Sequence, residues 1–243
     1  MSKLSSIIFD YGGTLDTDAR HWAHVLYEGY RHAGIPVSEA QFREAYVYGE
    51  RALAKSPIVA ADDVFHTVLL KKMVQETDCL IAQGYWTPDA ATRQRAVEAV
   101  ADYCNNYVLR NLTVSRRVLD RLVENHRLVL VSNFYGNIAA ILRDFRLDHY
   151  FSAVIESAVV GVRKPDPAIY RLGVEATGFP AQEVLVVGDS YGKDIVPAKS
   201  VGCRAVWLKG EGWTAEEQDE SLPDAVIYHL ADLPQVVDRL EAE

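Results

Sequence analysis

Short apolar runs alternate with segments of helical periodicity along the second half of the chain, and one further apolar run lies near its start. Apolar runs without polar alternation are typical of strands buried on both faces of a parallel sheet. We therefore predict strands at residues 5–10, 128–132, 154–155, 184–187, 205–208 and 225–228. The helical periodicity predicts helices at residues 137–145, 167–177 and 194–201, and a last helix from about residue 233.

Residues 18–125 show helical periodicity without a convincing strand. Within this block, Ser38 and Gln41 form a capping box, which indicates a helix start. Because the first strand belongs with the later ones, the helical block is most simply an insertion between the first two strands of the sheet. The predicted fold class is α/β, with a Rossmann-like parallel sheet core (residues 1–16 and 126–243) and an inserted all-helical cap domain (residues 17–125).

The composition is that of an ordinary globular protein, with 243 residues of which 49% are hydrophobic and 24% charged. A formal net charge of −9 without any basic block argues against nucleic acid or an anionic membrane as the main partner. The N-terminal residues do not resemble a signal peptide, and no stretch approaches membrane-spanning length. We therefore expect a cytoplasmic protein, and the sequence favours no particular oligomeric state.

Polar residues suited to phosphoryl transfer follow the predicted strands. Asp10 ends the first strand, Ser132 and Asn133 end the second, Asp189 ends a later one, and Lys164 lies just before a helix. The carboxyl ends of parallel strands gather at one edge of the sheet, where ligands bind. An aspartate can accept a phosphoryl group, a hydroxyl and an ammonium can hold its oxygens, and carboxylates suit Mg²⁺.

Four segments together resemble the haloacid dehalogenase (HAD) superfamily, in the same order and over nearly the whole chain. They are DYGGT after the first strand, the strand-ending Ser132, the lysine of KPDP, and GDSYGKD. The resemblance implies that Asp10 is the nucleophile and that Ser132 and Lys164 bind the phosphoryl group, with Asn133 beside them in substrate binding.

The resemblance also implies a Mg²⁺ site. Asp10, the main-chain carbonyl of Gly12 and Asp189 would be ligands, and Asp194 would act through water or through its neighbours. Family phosphatases carry a second aspartate at the position of Gly12, and it protonates the leaving oxygen. A general acid contributes about 10²–10⁴-fold in rate, so its replacement by glycine is the main departure from the family pattern.

The sequence therefore favours a Mg²⁺-dependent phosphatase or phosphotransferase acting on a small phosphorylated metabolite through Asp10. We expect substrates whose leaving group needs little protonation, such as acyl phosphates or sugar 1-phosphates, unless water or a cap residue supplies the acid. Three alternatives stay open: a haloacid dehalogenase, since halide leaves without protonation; a phosphonatase that uses a cap lysine; and a non-catalytic phosphate-binding regulator. Residues 16–21 lead from the rim into the cap, and we expect specificity residues there.

Overall fold

The computed structural model describes residues 3–55, 57–211 and 218–242. Within these ranges, six strands form one sheet in which every neighbouring pair is parallel. The strands are β1 (Ser6–Phe9), β2 (Arg127–Ser132), β3 (Phe151–Glu156), β4 (Val184–Gly188), β5 (Arg204–Leu208) and β6 (Ala225–Ile227). The predicted α/β fold with a parallel sheet is confirmed, because each apolar run forms a strand at its expected place.

The strand order β3-β2-β1-β4-β5-β6 places β1 at the centre of the sheet. The chain leaves β1 toward β2 on one side and later returns to β4 on the other, which is the switch point where such sheets bind ligands. Phe9 lies level with Leu130 of β2 and Val187 of β4. The residues that follow these three strands therefore meet at one rim.

Alternation of side chains along the buried strands produces two apolar cores, one on each face of the sheet. Phe9 of β1 joins a core that extends into the helices inserted after β1, whereas Ile8 joins a core on the opposite face. Gly173 lets a helix of that second face pack closely, because a Cβ there would lie 2.8 Å from Val131 Cγ2 and 3.1 Å from Ile8 Cδ1.

Four helices lie between β1 and β2, and five more follow β2 within the described residues. The first group is α1 (Trp22–His32), α2 (Glu39–Lys55), α3 (Phe65–Ala82) and α4 (Ala90–Val123). The second group is α5 (Ile138–Asp144), α6 (Ser157–Val160), α7 (Ala168–Thr177), α8 (Val196–Ser200) and α9 (Leu233–Ala242). No helix in the described part of the chain combines the length and apolar character that a membrane span requires.

The predicted capping box at the start of α2 is present. Ser38 N–H donates to Gln41 Oε1 at 2.8 Å, and Gln41 N–H donates to Ser38 Oγ at 3.3 Å. The predicted helix at 194–201 begins differently: a π-helical turn, Tyr191–Ile195, precedes α8. π-helical turns are frequent at functional sites, and this one carries Asp194.

Helix α4 runs without a break from the helical block onto the sheet. Its second half carries Ser115, whose hydroxyl donates to Leu15 O at 2.6 Å, and Arg116, whose guanidinium donates to Phe145 O at 2.8 Å. Leu15 and Phe145 both lie outside residues 17–125, the predicted cap. The division into a core and a cap at residues 16–17 and 125–126 stays a prediction, and α4 contributes side chains to both layers.

Replacing buried Leu112 of α4 by alanine should destabilise the protein much more than replacing Leu109 one turn earlier. Leu112 is fully buried whereas Leu109 is 41% exposed. We expect Leu112→Ala to lower the free energy of unfolding by about 2–5 kcal/mol through lost burial and a cavity. Leu109→Ala should change it by less than about 0.5 kcal/mol. Urea denaturation followed by circular dichroism measures both, and equal losses would contradict the packing described.

Candidate active site

Three carboxylates converge at the rim where β1 and β4 end. Asp10 follows β1, Asp189 follows β4, and Asp194 lies in the π-helical turn after β4. One oxygen of each lies within 4.8 Å of an oxygen of the other two. Asp10 and Asp194 are buried. Like charges at this separation repel strongly in a poorly hydrated site, so the arrangement requires a nearby cation.

The ammonium group of Lys164 supplies part of that compensation. It donates to Asp10 Oδ1 at 2.5 Å and to Asp194 Oδ1 at 2.7 Å, and its side chain is 2% exposed. Burial alone would lower the pKa of Lys164, but the charges of Asp10 and Asp194 outweigh burial and raise it. Lys164 is therefore a charged, buried residue of the site rather than a solvated surface lysine.

The single ammonium of Lys164 does not balance the charge of three carboxylates, and the pKa values of Asp10 and Asp189 are raised. Burial, partly offset by Lys164, raises the pKa of Asp10 to about 6. Burial together with the charges of Asp10 and Asp194 raises the pKa of Asp189 well above its ordinary value. A hard divalent cation fits this donor set of carboxylate oxygens and would relieve the remaining repulsion. Gly12, the further predicted ligand, lines the same cavity.

Asp194 is the most completely bonded of the three carboxylates. Besides Lys164, its Oδ1 accepts from the Tyr170 hydroxyl at 2.7 Å, and its Oδ2 accepts from Ser190 N–H at 3.0 Å. These contacts fix its orientation and hold Lys164 in place. The role of Tyr170 was not predicted from the sequence, because a tyrosine on the buried face of a helix usually only packs in the core.

The loop after Asp10 wraps closely around Asp189. Gly13 has φ +98°, and a Cβ there would lie 2.3 Å from Asp189 Oδ2, so only glycine fits. The Thr14 hydroxyl lies 3.3 Å from Asp10 Oδ2 and 3.4 Å from Asp189 Oδ1, and it accepts from Asp189 N–H at 3.1 Å. The loop thereby sets the distance between the two carboxylates.

Ser132 and Asn133, the predicted phosphate- and substrate-binding pair, lie at the end of β2. Ser132 is 1% exposed and lines the cavity above the rim. The Asn133 side chain contacts the main chain of Lys164 twice: its Nδ2 donates to Lys164 O at 3.0 Å, and its Oδ1 accepts from Lys164 N–H at 2.8 Å. Asn133 thus positions Lys164, and its contact with substrate stays a prediction.

Asp16 is a buried carboxylate of the same loop that was not singled out individually in the sequence. Its Oδ1 accepts from Gly13 N–H at 2.7 Å, and its Oδ2 accepts from the indole N–H of Trp22 at 2.9 Å. Burial raises the pKa of Asp16 to about 7. Because Trp22 begins α1, this carboxylate joins the loop after Asp10 to the helical block.

The rim opens into a cavity of about 1580 Å³, larger than the ~300–1,000 Å³ of an ordinary ligand pocket. All seven predicted site residues line it. The helical block also contributes residues: His21, Trp22, Tyr46, Glu50, Phe65 and Lys72. At Gly12 the cavity is open, since a Cβ built there meets no atom within 4 Å. Within the predicted specificity segment 16–21, Asp16 and His21 are among the lining residues.

Comparison with known proteins identifies the family pattern over most of the chain. The haloacid dehalogenase-like hydrolase family matches residues 4–202. A glyceraldehyde 3-phosphate phosphatase from Pyrococcus abyssi is 41% identical over 106 residues, which are 42% of this chain and 43% of that protein. A phosphoglycolate phosphatase from Yersinia pestis is 38% identical over 96 residues, which are 40% of this chain and 41% of that protein. The chain thus matches less than half the length of these relatives.

A solved structure shows the same fold over nearly the whole chain. The magnesium-bound HAD-hydrolase YfnB from Bacillus subtilis superposes with a TM-score of 0.60 at 16% identity, covering 98% of this chain and 100% of that chain. At this low identity the likeness concerns the fold alone.

Replacing Gly13 by alanine should destabilise the protein, because the side chain would meet the Asp189 carboxylate and the backbone conformation disfavours it. We expect the free energy of unfolding to fall by about 2 kcal/mol or more. Gly12→Ala is the matched control, since its side chain would enter open space, and it should cost less than about 1 kcal/mol. Chemical denaturation of the two variants tests this, and a harmless Gly13→Ala would contradict the close approach.

Proposed function

The chain belongs to the haloacid dehalogenase-like hydrolases, and from this membership we propose that it is a Mg²⁺-dependent phosphatase or phosphotransferase for a small phosphorylated metabolite. The observation that carries the proposal is the cluster of Asp10, Asp189 and Asp194 around one buried ammonium, at the rim of a large cavity. Such a cluster provides a nucleophile, a cation site and a phosphoryl-binding charge together. The phosphatases among the relatives add support.

Asp10 is the proposed nucleophile. A carboxylate oxygen of Asp10 attacks phosphorus, the new P–O bond forms, and the leaving group departs with the electron pair of its own P–O bond. Water then hydrolyses the aspartyl phosphate and regenerates Asp10. Mg²⁺, held by Asp10, Asp189 and the carbonyl of Gly12, with Asp194 acting through water or through its neighbours, would supply positive charge that offsets the phosphoryl oxygens.

Lys164 and Ser132 are proposed to hold the phosphoryl group during transfer. Lys164 already donates to Asp10 Oδ1, so its ammonium lies beside the reacting carboxylate, where negative charge on the phosphoryl oxygens would be stabilised. Ser132 ends the neighbouring strand and can donate from its hydroxyl. Asn133 keeps the Lys164 main chain fixed through two hydrogen bonds, so the ammonium is oriented before substrate binds.

Gly12 restricts the proposed substrates. The position of the usual general acid is open space, so the leaving group departs without a proton from residue 12. Acyl phosphates and glycosyl 1-phosphates meet this requirement better than simple alkyl phosphates, because their leaving groups are less basic or more readily stabilised. The helices α1–α4 are proposed to act as the cap that covers the reacting group and excludes bulk water.

The purified protein should release phosphate from acetyl phosphate and glycosyl 1-phosphates with Mg²⁺ and lose this activity in EDTA. Asp10→Asn should abolish turnover because the amide is not a nucleophile. Asp102→Asn, which alters a 65% exposed carboxylate on α4, is the matched control and should leave turnover unchanged.

Absence of phosphate release from every ester and from acetyl phosphate would overturn the proposed activity. Chloride release from 2-chloropropionate that proceeds in EDTA would instead support a dehalogenase, for which a missing acid at position 12 is harmless.

Gly12→Asp should increase activity on simple alkyl phosphates. The open space at Gly12 accommodates the side chain, and the added carboxyl group can protonate the leaving oxygen. The expected gain in kcat on such esters is about 10²–10⁴-fold, with a smaller gain on acetyl phosphate, whose leaving group needs no proton. Gly12→Asn has nearly the same size without the acid and should show no gain. Equal rates for both variants would contradict the account of Gly12.

A further inference from the structure

The helical block contributes an ion pair to the cavity wall, between Glu50 of α2 and Lys72 of α3. The Lys72 ammonium donates to Glu50 Oε1, and both residues line the cavity. Their side chains differ in accessibility: Glu50 is 38% exposed, whereas Lys72 is 8% exposed. A substrate in the cavity therefore meets the carboxylate first.

A second carboxylate, that of Glu76, lies near the Lys72 ammonium, four residues along α3. Glu76 Oε1 lies 3.9 Å from Lys72 Nζ, and the Tyr30 hydroxyl donates to Glu76 Oε2 at 2.6 Å. The Tyr46 ring also packs against Lys72, with its centroid 4.3 Å from Nζ. Lys72 thus has Glu50 as its bonded partner, with a second carboxylate and an aromatic face close to its ammonium.

Tyr135 fixes the position of Glu50 relative to the rim. Its hydroxyl donates to Glu50 Oε2 at 3.0 Å, and it follows Ser132 by three residues. The loop that carries Tyr135 is bonded to the core, since Gly136 N–H donates to Glu156 Oε1 at 2.5 Å. Glu50 is therefore tied to the same part of the core that carries the proposed phosphoryl-binding hydroxyl.

We propose that Glu50 and Tyr135 bind the leaving group of the substrate, and that this group is neutral and bears hydroxyls, as the sugar of a glycosyl 1-phosphate does. The inference rests on the proposed phosphatase function. An accessible carboxylate accepts hydrogen bonds from hydroxyls and repels a second anion. Trp22 and Tyr46 line the same cavity and offer apolar faces on which the C–H groups of a sugar ring can pack.

An anionic leaving group is the competing class. Arg51 and Lys193 are exposed and also line the cavity, so they could attract a carboxylate or a second phosphate there. Glu50 discriminates between the classes, because its charge favours hydroxyl donors and disfavours anions. Removal of that charge should therefore weaken the binding of substrates with a neutral, hydroxyl-bearing leaving group and strengthen the binding of anionic ones.

The variants are Glu50→Gln, and Tyr135→Phe as a second change that keeps the ion pair. The chain offers matched controls outside the cavity: Tyr85 donates to Glu44 of the same helix at 2.9 Å, so Glu44→Gln and Tyr85→Phe remove an equivalent contact. The substrates are glucose, galactose, mannose and ribose 1-phosphates, phosphoglycolate as the anionic probe, and acetyl phosphate, whose leaving group bears no hydroxyl.

We expect Glu50→Gln and Tyr135→Phe to lower kcat/KM on the best glycosyl 1-phosphate by roughly 10- to 100-fold, the usual effect of losing a hydrogen bond to a charged group. Acetyl phosphate turnover should change less than about twofold, since that substrate leaves the contact unused. Glu44→Gln and Tyr85→Phe should match the wild type on every substrate.

Calorimetric binding of each phosphate to Asp10→Asn, with and without Glu50→Gln, gives a readout independent of turnover. Weaker binding of the glycosyl phosphate and unchanged or tighter binding of phosphoglycolate would support the proposal. Two results would overturn it. In one, Asp10→Asn binds phosphoglycolate more tightly than every glycosyl phosphate. In the other, Glu50→Gln lowers kcat/KM equally for acetyl phosphate and for glycosyl phosphates. If the wild type released phosphate from none of these substrates, the phosphatase function would be rejected, and the binding result would still decide the role of Glu50.

Discussion

The balance between one buried ammonium and three carboxylates at the end of the sheet determines the rest of the site. Lys164 reaches Asp10 and Asp194 but leaves the group of carboxylates with excess negative charge. At this largely buried rim the excess is costly, and a divalent cation can offset it. The surrounding contacts serve to keep the charges in place: Asn133 holds the main chain of Lys164, and Tyr170 holds the carboxylate of Asp194.

The sequence predicts the sheet and the charged residues of the rim because both depend on local patterns. Buried strands need uninterrupted apolar residues, and the residues after them are carried to the rim by the topology. The hydrogen-bond partners of these side chains depend on how distant segments align in the fold, so local patterns could not predict them. Asn133 is next to Ser132 in the chain, but its bonds to Lys164 exist only because β2 and the segment before α7 lie side by side.

The ion pair of the helical block and its partner Tyr135 could not be predicted for the same reason. Lys72 in the sequence is one of several lysines of the helical block, and Glu50 is one of many acidic residues on an amphipathic helix. Only the packing of α2 against α3 brings them together, and only the loop after β2 brings Tyr135 to them. Gly12, by contrast, was visible in the sequence, and the structure adds that its position is open space.

The proposed phosphoryl transfer to Asp10 is the central claim, and trapping the phosphorylated protein tests it most directly. The protein would be mixed with acetyl phosphate and Mg²⁺, quenched in acid and digested for peptide mass analysis. The account predicts one phosphoryl group on the peptide that contains Asp10, lost on treatment with hydroxylamine and absent in Asp10→Asn. Phosphate release with the modification on another residue, or undiminished release by Asp10→Asn, would contradict it.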